Sequence, residues 1–128
     1  MKLEGGMYIR TNYGKIDKIL KLNESYVKGE SQKDEFYAYD IENIVKASYS
    51  IIDILEVGDY ANGVEITEIY EKGDSFRGNR NYIFKEKIIE VANDNYETIP
   101  VEALFTNNGI ETIVTKEQFE QMEYRIGE

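Results

Sequence analysis

Residues 7–22 read MYIRTNYGKIDKILKL, and the conformation of this stretch decides the class of the fold. Met7 to Thr11 has the composition of a strand, Asn12-Tyr13-Gly14 supplies turn chemistry, and Lys15 to Leu22 returns as a second strand. The apolar positions Ile16, Ile19, Leu20 and Leu22 follow period two only in part, and a helix using residues 16, 19 and 20 competes. The Asn-x-Gly turn and the spacing of a hairpin favour the strand.

Working outward, Asn23 to Asp34 is polar and glycine-bearing and reads as loop, and Glu35 to Tyr39 as an aromatic strand. Asp40 to Ile44 predicts one helical turn opened by an Asp cap, after which Val45 to Ser48 extends. Ser50 to Leu55 fits a helical turn or a buried strand. Residues 57–63 (VGDYANG) are a tight turn, Val64 to Tyr70 a strand, residues 72–75 a turn and Phe76 to Asn81 a loop. Tyr82 to Phe84 and Ile88 to Val91 predict two short strands. Pro100 keeps Thr98 to Leu104 out of a central sheet position, Thr106 to Gly109 is a loop, and Ile110 to Val114 extends. The one helix falls at residues 115–122, with Thr115 as N-cap, Gln118 completing a capping box, and Phe119 and Met122 as the apolar stripe.

Residues 41–48 (IENIVKAS) and 110–117 (IETIVTKE) share Ile, Glu, Ile and Val at an offset of 69, which also brings Gly58 onto Gly127. Read as a duplication, the echo predicts two similar units in which a helical turn delivers the chain to a short closing strand. Small SH3-like barrels are built that way. The expected fold is therefore mainly β: a small SH3-like barrel or twisted antiparallel sheet with short helical turns and one C-terminal helix, in a single domain spanning residues 1–128.

The chain contains no cysteine and no histidine. Their absence removes disulfides, thiolate nucleophiles, Ser-His-Asp and Cys-His catalysis, and the usual zinc sites. No apolar run resembles a secretory signal or approaches the roughly 20 residues of a membrane span, so the cytoplasm is the expected compartment. The net charge is −10 but unevenly spread: residues 1–33 carry seven basic and four acidic groups (net +3), residues 34–85 five and eleven (−6), and residues 86–128 three and ten (−7). Nucleic-acid binders usually show a basic stripe. Direct nucleic-acid binding is therefore disfavoured for this chain, the N-terminal part being the one stretch whose charge does not oppose it.

Asp53, Glu56 and Asp59 come nearest to a carboxylate cluster, of the kind that supplies acid–base pairs or oxygen ligands for a divalent cation. Their spacing matches no calcium loop, and in a chain with 25 acidic residues a solvated turn explains them as well. Arg77 and Arg80 flank Gly78 and suit an anion, although the spacing is not that of a phosphate loop. Most of the 11 tyrosines suit strands, whereas Tyr13, Tyr60 and Tyr96 fall in turns or loops, where a partner contact is the better explanation. No catalytic residue, metal ligand or cofactor is expected. The residues expected to face a partner are Asp53, Glu56, Asp59, Tyr60, Tyr96, Glu117 and Glu120.

The stretches ASYSIIDILEVGDYANG (residues 47–63) and TIVTKEQFEQMEYRIGE (residues 112–128), with Tyr8 to Thr11, resemble small proteins of clostridial and related Gram-positive genomes, often carried in prophages. Residues 64–100 depart more from that pattern. The resemblance implies mobile-element ancestry and carries no reaction, cofactor or catalytic residue with it. Small acidic phage proteins often bind host proteins, and anti-CRISPR inhibitors that mimic DNA with patterned carboxylates are one such class. The expected function is non-enzymatic: an accessory protein that inhibits a host nucleic-acid-handling or immunity protein through an acidic surface. A nucleotide or small-ligand sponge using the Arg77/Arg80 loop, or a structural part of the element, are the alternatives.

Overall fold

The computed structural model describes residues 2–32, 37–76, 78–92 and 104–126, the side chains of 122–126 excepted. The protein is mainly β, with antiparallel sheets, short 3₁₀ turns and one C-terminal helix. The chain divides into two compact units: residues 1–54 with those from 117 on, and residues 55–116.

The first unit begins with β1 (Tyr8–Thr11) and β2 (Ile16–Leu22), the hairpin expected from residues 7–22. Gly14 adopts φ +81°, and the Thr11 hydroxyl accepts the Lys15 amide, so the turn chemistry is local. The broken alternation in β2 has a physical cause. Pairing to β3 (Tyr26–Gly29) steps from Ile19↔Gly29 to Lys21↔Lys28, making Leu20 the extra residue of a β-bulge. A strand lies where residues 23–34 read as loop, because β3 is only four residues long and sits between polar segments. Next come β4 (Tyr39–Asp40), a 3₁₀ turn at Ile41–Asn43, β5 (Ile44–Ser48) and a second 3₁₀ turn at Ile51–Ile54. Asp40 stands at the N-cap position with the extended φ/ψ of a cap, but its side chain makes no cap bond, which corrects the expected Asp cap. The 3₁₀ turn at Ile51–Ile54 buries Ile51, Ile52 and Ile54, which settles the ambiguity of residues 50–55. Ile9, Ile19, Val27, Tyr39 and Ile44 form the core, with Leu3, Met7, Ile41 and Ala47 packed against it. Burial of each of the large aliphatic side chains contributes about 1.5–3 kcal/mol.

The second unit contains β6 (Tyr60–Ala61), β7 (Val64–Tyr70), β8 (Ser75–Phe76), β9 (Asn79–Ile83), β10 (Ile88–Val91), β11 (Leu104–Phe105), a 3₁₀ turn at Asn107–Gly109 and β12 (Ile113–Val114). Asn62 (φ +52°) and Gly63 (φ +82°) make the two-residue turn between β6 and β7, as the Asn-Gly pair demands. The loop expected at residues 76–81 instead contributes to the β8–β9 hairpin. Every residue of β9 is exposed, and the strand expected at Tyr82 to Phe84 meets only its last two residues. Tyr70, Phe76 and Phe84 cluster at the hairpin base, with ring centroids 4.9–6.1 Å apart. The Pro100 segment lies largely outside the described residues.

The sheets of the two units have one topology. Their strand orders are β4-β3-β2-β1-β5 and β11-β10-β7-β6-β12. In each, a 3₁₀ turn precedes a closing strand that pairs back onto the first strand of its unit. The registers agree as well: Thr11 pairs with Ile44, and Ala61 with Ile113. The Asn12 amide donates to Asn43 O at 2.8 Å, and the Asn62 amide to Thr112 O at 2.9 Å. Asn43 and Thr112 stand at the offset of the sequence echo, as do Ile44 and Ile113. Among the described residues neither sheet closes into a barrel, since the fourth and closing strands of each unit are opposite edges. The β8–β9 hairpin occupies the β7–β10 connection, whereas its counterpart between β2 and β3 is only Asn23-Glu24-Ser25.

The helix α1 (Lys116–Ile126) begins where its sequence indicates and runs past residue 122. Phe119 is 37% exposed, which corrects the expectation that it is buried against the sheet, and the Met122 side chain lies outside the described residues.

Candidate functional site

The carboxylates that sequence spacing brings to notice mostly hold the fold together. Asp59 is fully buried. Its Oδ2 accepts the Glu56 amide at 2.8 Å and its Oδ1 accepts the amide of Lys116, the first residue of α1, at 2.9 Å. Asp59 therefore caps a helix 57 residues away. The structure removes it from the expected contact surface. Glu56 accepts the Lys116 ammonium at 2.7 Å. Asp53 is exposed and accepts the Ser48 hydroxyl at 2.6 Å.

Glu117 is also corrected. Expected to face water, its Oε2 accepts Arg10 Nη2 at 2.9 Å, and Arg10 is only 1% exposed. Arg10 Nη1 also donates to Ile54 O at 3.3 Å. Glu120 is exposed, and Tyr60 is half-buried on β6 directly opposite Glu65. Tyr13 is exposed in the β1–β2 turn, and Arg80 is exposed on β9. Arg77 and Tyr96 lie outside the described residues.

Two polar networks built around buried tyrosines escape the sequence reading. In the first, Asp17 accepts the Ser31 hydroxyl, the Ser31 and Lys18 amides and, at 2.7 Å, the Tyr39 hydroxyl. Gly29 makes room for it: a Cβ there would stand 2.2 Å from Asp17 Oδ2. In the second, the Tyr70 hydroxyl lies 3.1 Å from both Glu68 Oε2 and Glu90 Oε2, carboxylates that face each other across β7 and β10. An acidic residue on the inward side of an apolar strand, as Asp17 is beside Ile19, is the one sequence signal for such a network. Among the described residues no three Asp or Glu side chains converge as a metal site.

Burial first, then the adjoining carboxylates, push the hydroxyls of Tyr39 and Tyr70 far above the ordinary tyrosine range, with Ser31 opposing the shift at Tyr39. Because the folded state holds these protons more tightly, the stability they supply is complete below about pH 10 and falls as pH rises beyond it. In a spectrophotometric titration Tyr39 and Tyr70 should ionise last and together with loss of native circular dichroism. Complete, reversible ionisation of all 11 tyrosines near the ordinary value, with the fold intact, would contradict this.

Among the described residues no helix is long and apolar enough to cross a membrane. In comparisons with known proteins, the chain matches no family model, no curated protein and no solved structure.

Proposed function

We propose that the protein is a non-enzymatic, phage-type accessory protein of the bacterial cytoplasm, which binds and inhibits a host nucleic-acid-handling or immunity protein through an acidic surface. The observation that carries this reading is on β7 of the second unit. Glu65, Glu68 and Glu71 are exposed along the strand and its end, Asp74 follows in the next turn, and Tyr60 stands opposite Glu65 on β6. Carboxylates next to an aromatic side chain suit a basic nucleic-acid groove, where charge complementarity speeds encounter and the ring supplies contact area. With Asp59 and Glu117 engaged inside the fold, this strand replaces them as the centre of the contact.

The test is affinity capture from a host lysate, with and without nuclease. A nucleic-acid-handling protein should be retained in both arms and released as salt rises. The E65K/E71K double variant should keep its far-UV circular dichroism and bind that protein at least about tenfold more weakly, roughly the effect of losing 1.4 kcal/mol. Retention that depends on nucleic acid, or that survives both substitutions, would refute the proposal.

A further inference from the structure

The sheet of the first unit has two faces of opposite character. One carries the core residues Ile9, Ile19, Val27, Tyr39 and Ile44. Alternation along the strands puts Tyr8, Lys18, Lys21, Tyr26 and Lys28 on the other. The registers bring them together: Tyr8 pairs with Lys18, and Lys21 with Lys28. Lys18 Nζ lies 5.6 Å from the centre of the Tyr8 ring. Tyr26 precedes Lys28 at the two-residue spacing of one face and is 50% exposed. Asp40, paired with Tyr26, is the acidic residue among these strand positions.

Lys28 Nζ donates to Tyr37 O, yet the placing of Lys28 against Lys21 works against the stability of the sheet. Two lysines directly opposite each other on paired strands repel, and such a pair costs stability. The copy in the second unit is opposite in sign: β7 and β10, the counterparts of β2 and β3, carry Glu65, Glu68 and Glu90 and no lysine. A chain of net charge −10 has thus concentrated three lysines and two tyrosines on one sheet face of one copy.

We propose that this face binds single-stranded nucleic acid, the lysines contacting phosphates and the Tyr8 and Tyr26 rings offering surfaces on which bases stack. Interleaved cations and aromatic rings, Tyr26 exposed and Tyr8 half-buried, match a strand whose bases are unpaired. A duplex hides its base faces from the rings, and an acidic polypeptide has no bases to stack. The negative net charge does not forbid binding, since at physiological salt the field of a charge is screened beyond about 8 Å and the lysines of this face dominate at contact. The proposal rests on the first unit alone and does not depend on the acidic strand of the second.

The experiment is fluorescence anisotropy of the intact chain with labelled oligothymidine and oligouridine of roughly 12 nucleotides, within the site size of small β-sheet binders. Saturable binding at low salt is expected, with a slope of log K against log salt near about −2 for three phosphates neutralised on a single strand. K18E/K21E should weaken binding at least about tenfold and flatten the slope, whereas Tyr26→Ala should weaken it about tenfold and leave the slope unchanged, as loss of stacking requires. Circular dichroism confirms the fold of each variant, and K18Q/K21Q replaces the charge reversal if that variant unfolds. No saturable binding, or a slope insensitive to the lysines, would overturn the proposal. Equal affinity for duplex would reduce the face to a general polyanion site. Equal competition by polyglutamate with no effect of Tyr26→Ala would assign it to an acidic polypeptide. Either result counts against the proposal.

Discussion

Replacing Glu117 with lysine should lower the free energy of unfolding by about 3–5 kcal/mol, the range for breaking one partner out of a buried ion pair. Arg10 is 1% exposed, and Glu117, about one-third exposed, receives its Nη2 at 2.9 Å. Lysine at position 117 removes an acceptor of a desolvated guanidinium and adds a like charge beside it. Glu117→Gln keeps an oxygen acceptor and should fall toward the low end of the range. Removing both charges together, as in Arg10→Met with Glu117→Met, should recover much of the loss, because no unpaired buried charge remains. Urea denaturation of the four proteins measures this. A Glu117→Lys midpoint equal to that of the unmodified chain would mean that α1 is not held by Arg10.

Gly29→Ala should cost about 3 kcal/mol, combining overpacking with displacement of a buried carboxylate. The new methyl group would stand 2.2 Å from Asp17 Oδ2, 2.5 Å from its Cγ and 2.8 Å from Tyr39 Cε2. None of these atoms is the loose end of a surface side chain, since Asp17 is fixed by Ser31, Lys18 and Tyr39. Gly63→Ala is the contrasting case. Nothing lies within 4 Å of the place a methyl group would take there, so its cost is the left-handed conformation alone, about 1–2 kcal/mol. If the Asp17 clash is the cause, Asp17→Ala and Gly29→Ala should be less damaging together than the sum of the two. Additivity would locate the effect elsewhere.

The β class and the N-terminal hairpin are legible because Asn12-Tyr13-Gly14 states its turn locally; the start of α1 is legible too, although its first amide is held by Asp59, 57 positions back. Alternation in β2 is half lost because bulged Leu20 shifts the register, and bulged Val45 does the same in β5. Strand β9 shows in the sequence only through Tyr82 and Ile83, because it has no buried face and its first three residues are polar. The candidate site reads less well for a different reason. Acidic residues are visible in sequence, but their partners are not: Asp59 meets the Lys116 amide 57 positions on, and Glu117 meets Arg10 107 positions back. Those pairings depend on which strands and turns come together, and no spacing rule carries that information. The echo at offset 69 is the exception, because it repeats the residues that enter the closing strand in each unit.

Backbone nuclear Overhauser effects across the two closing strands examine the repeated topology itself. Cross-strand contacts between Thr11 and Ile44 and between Ala61 and Ile113 should both be present, with the Asn12 and Asn62 amides slow to exchange. Contacts at Thr11 and Ile44 alone, with Ala61 showing only its neighbours on β7, would mean that the second unit does not repeat the first.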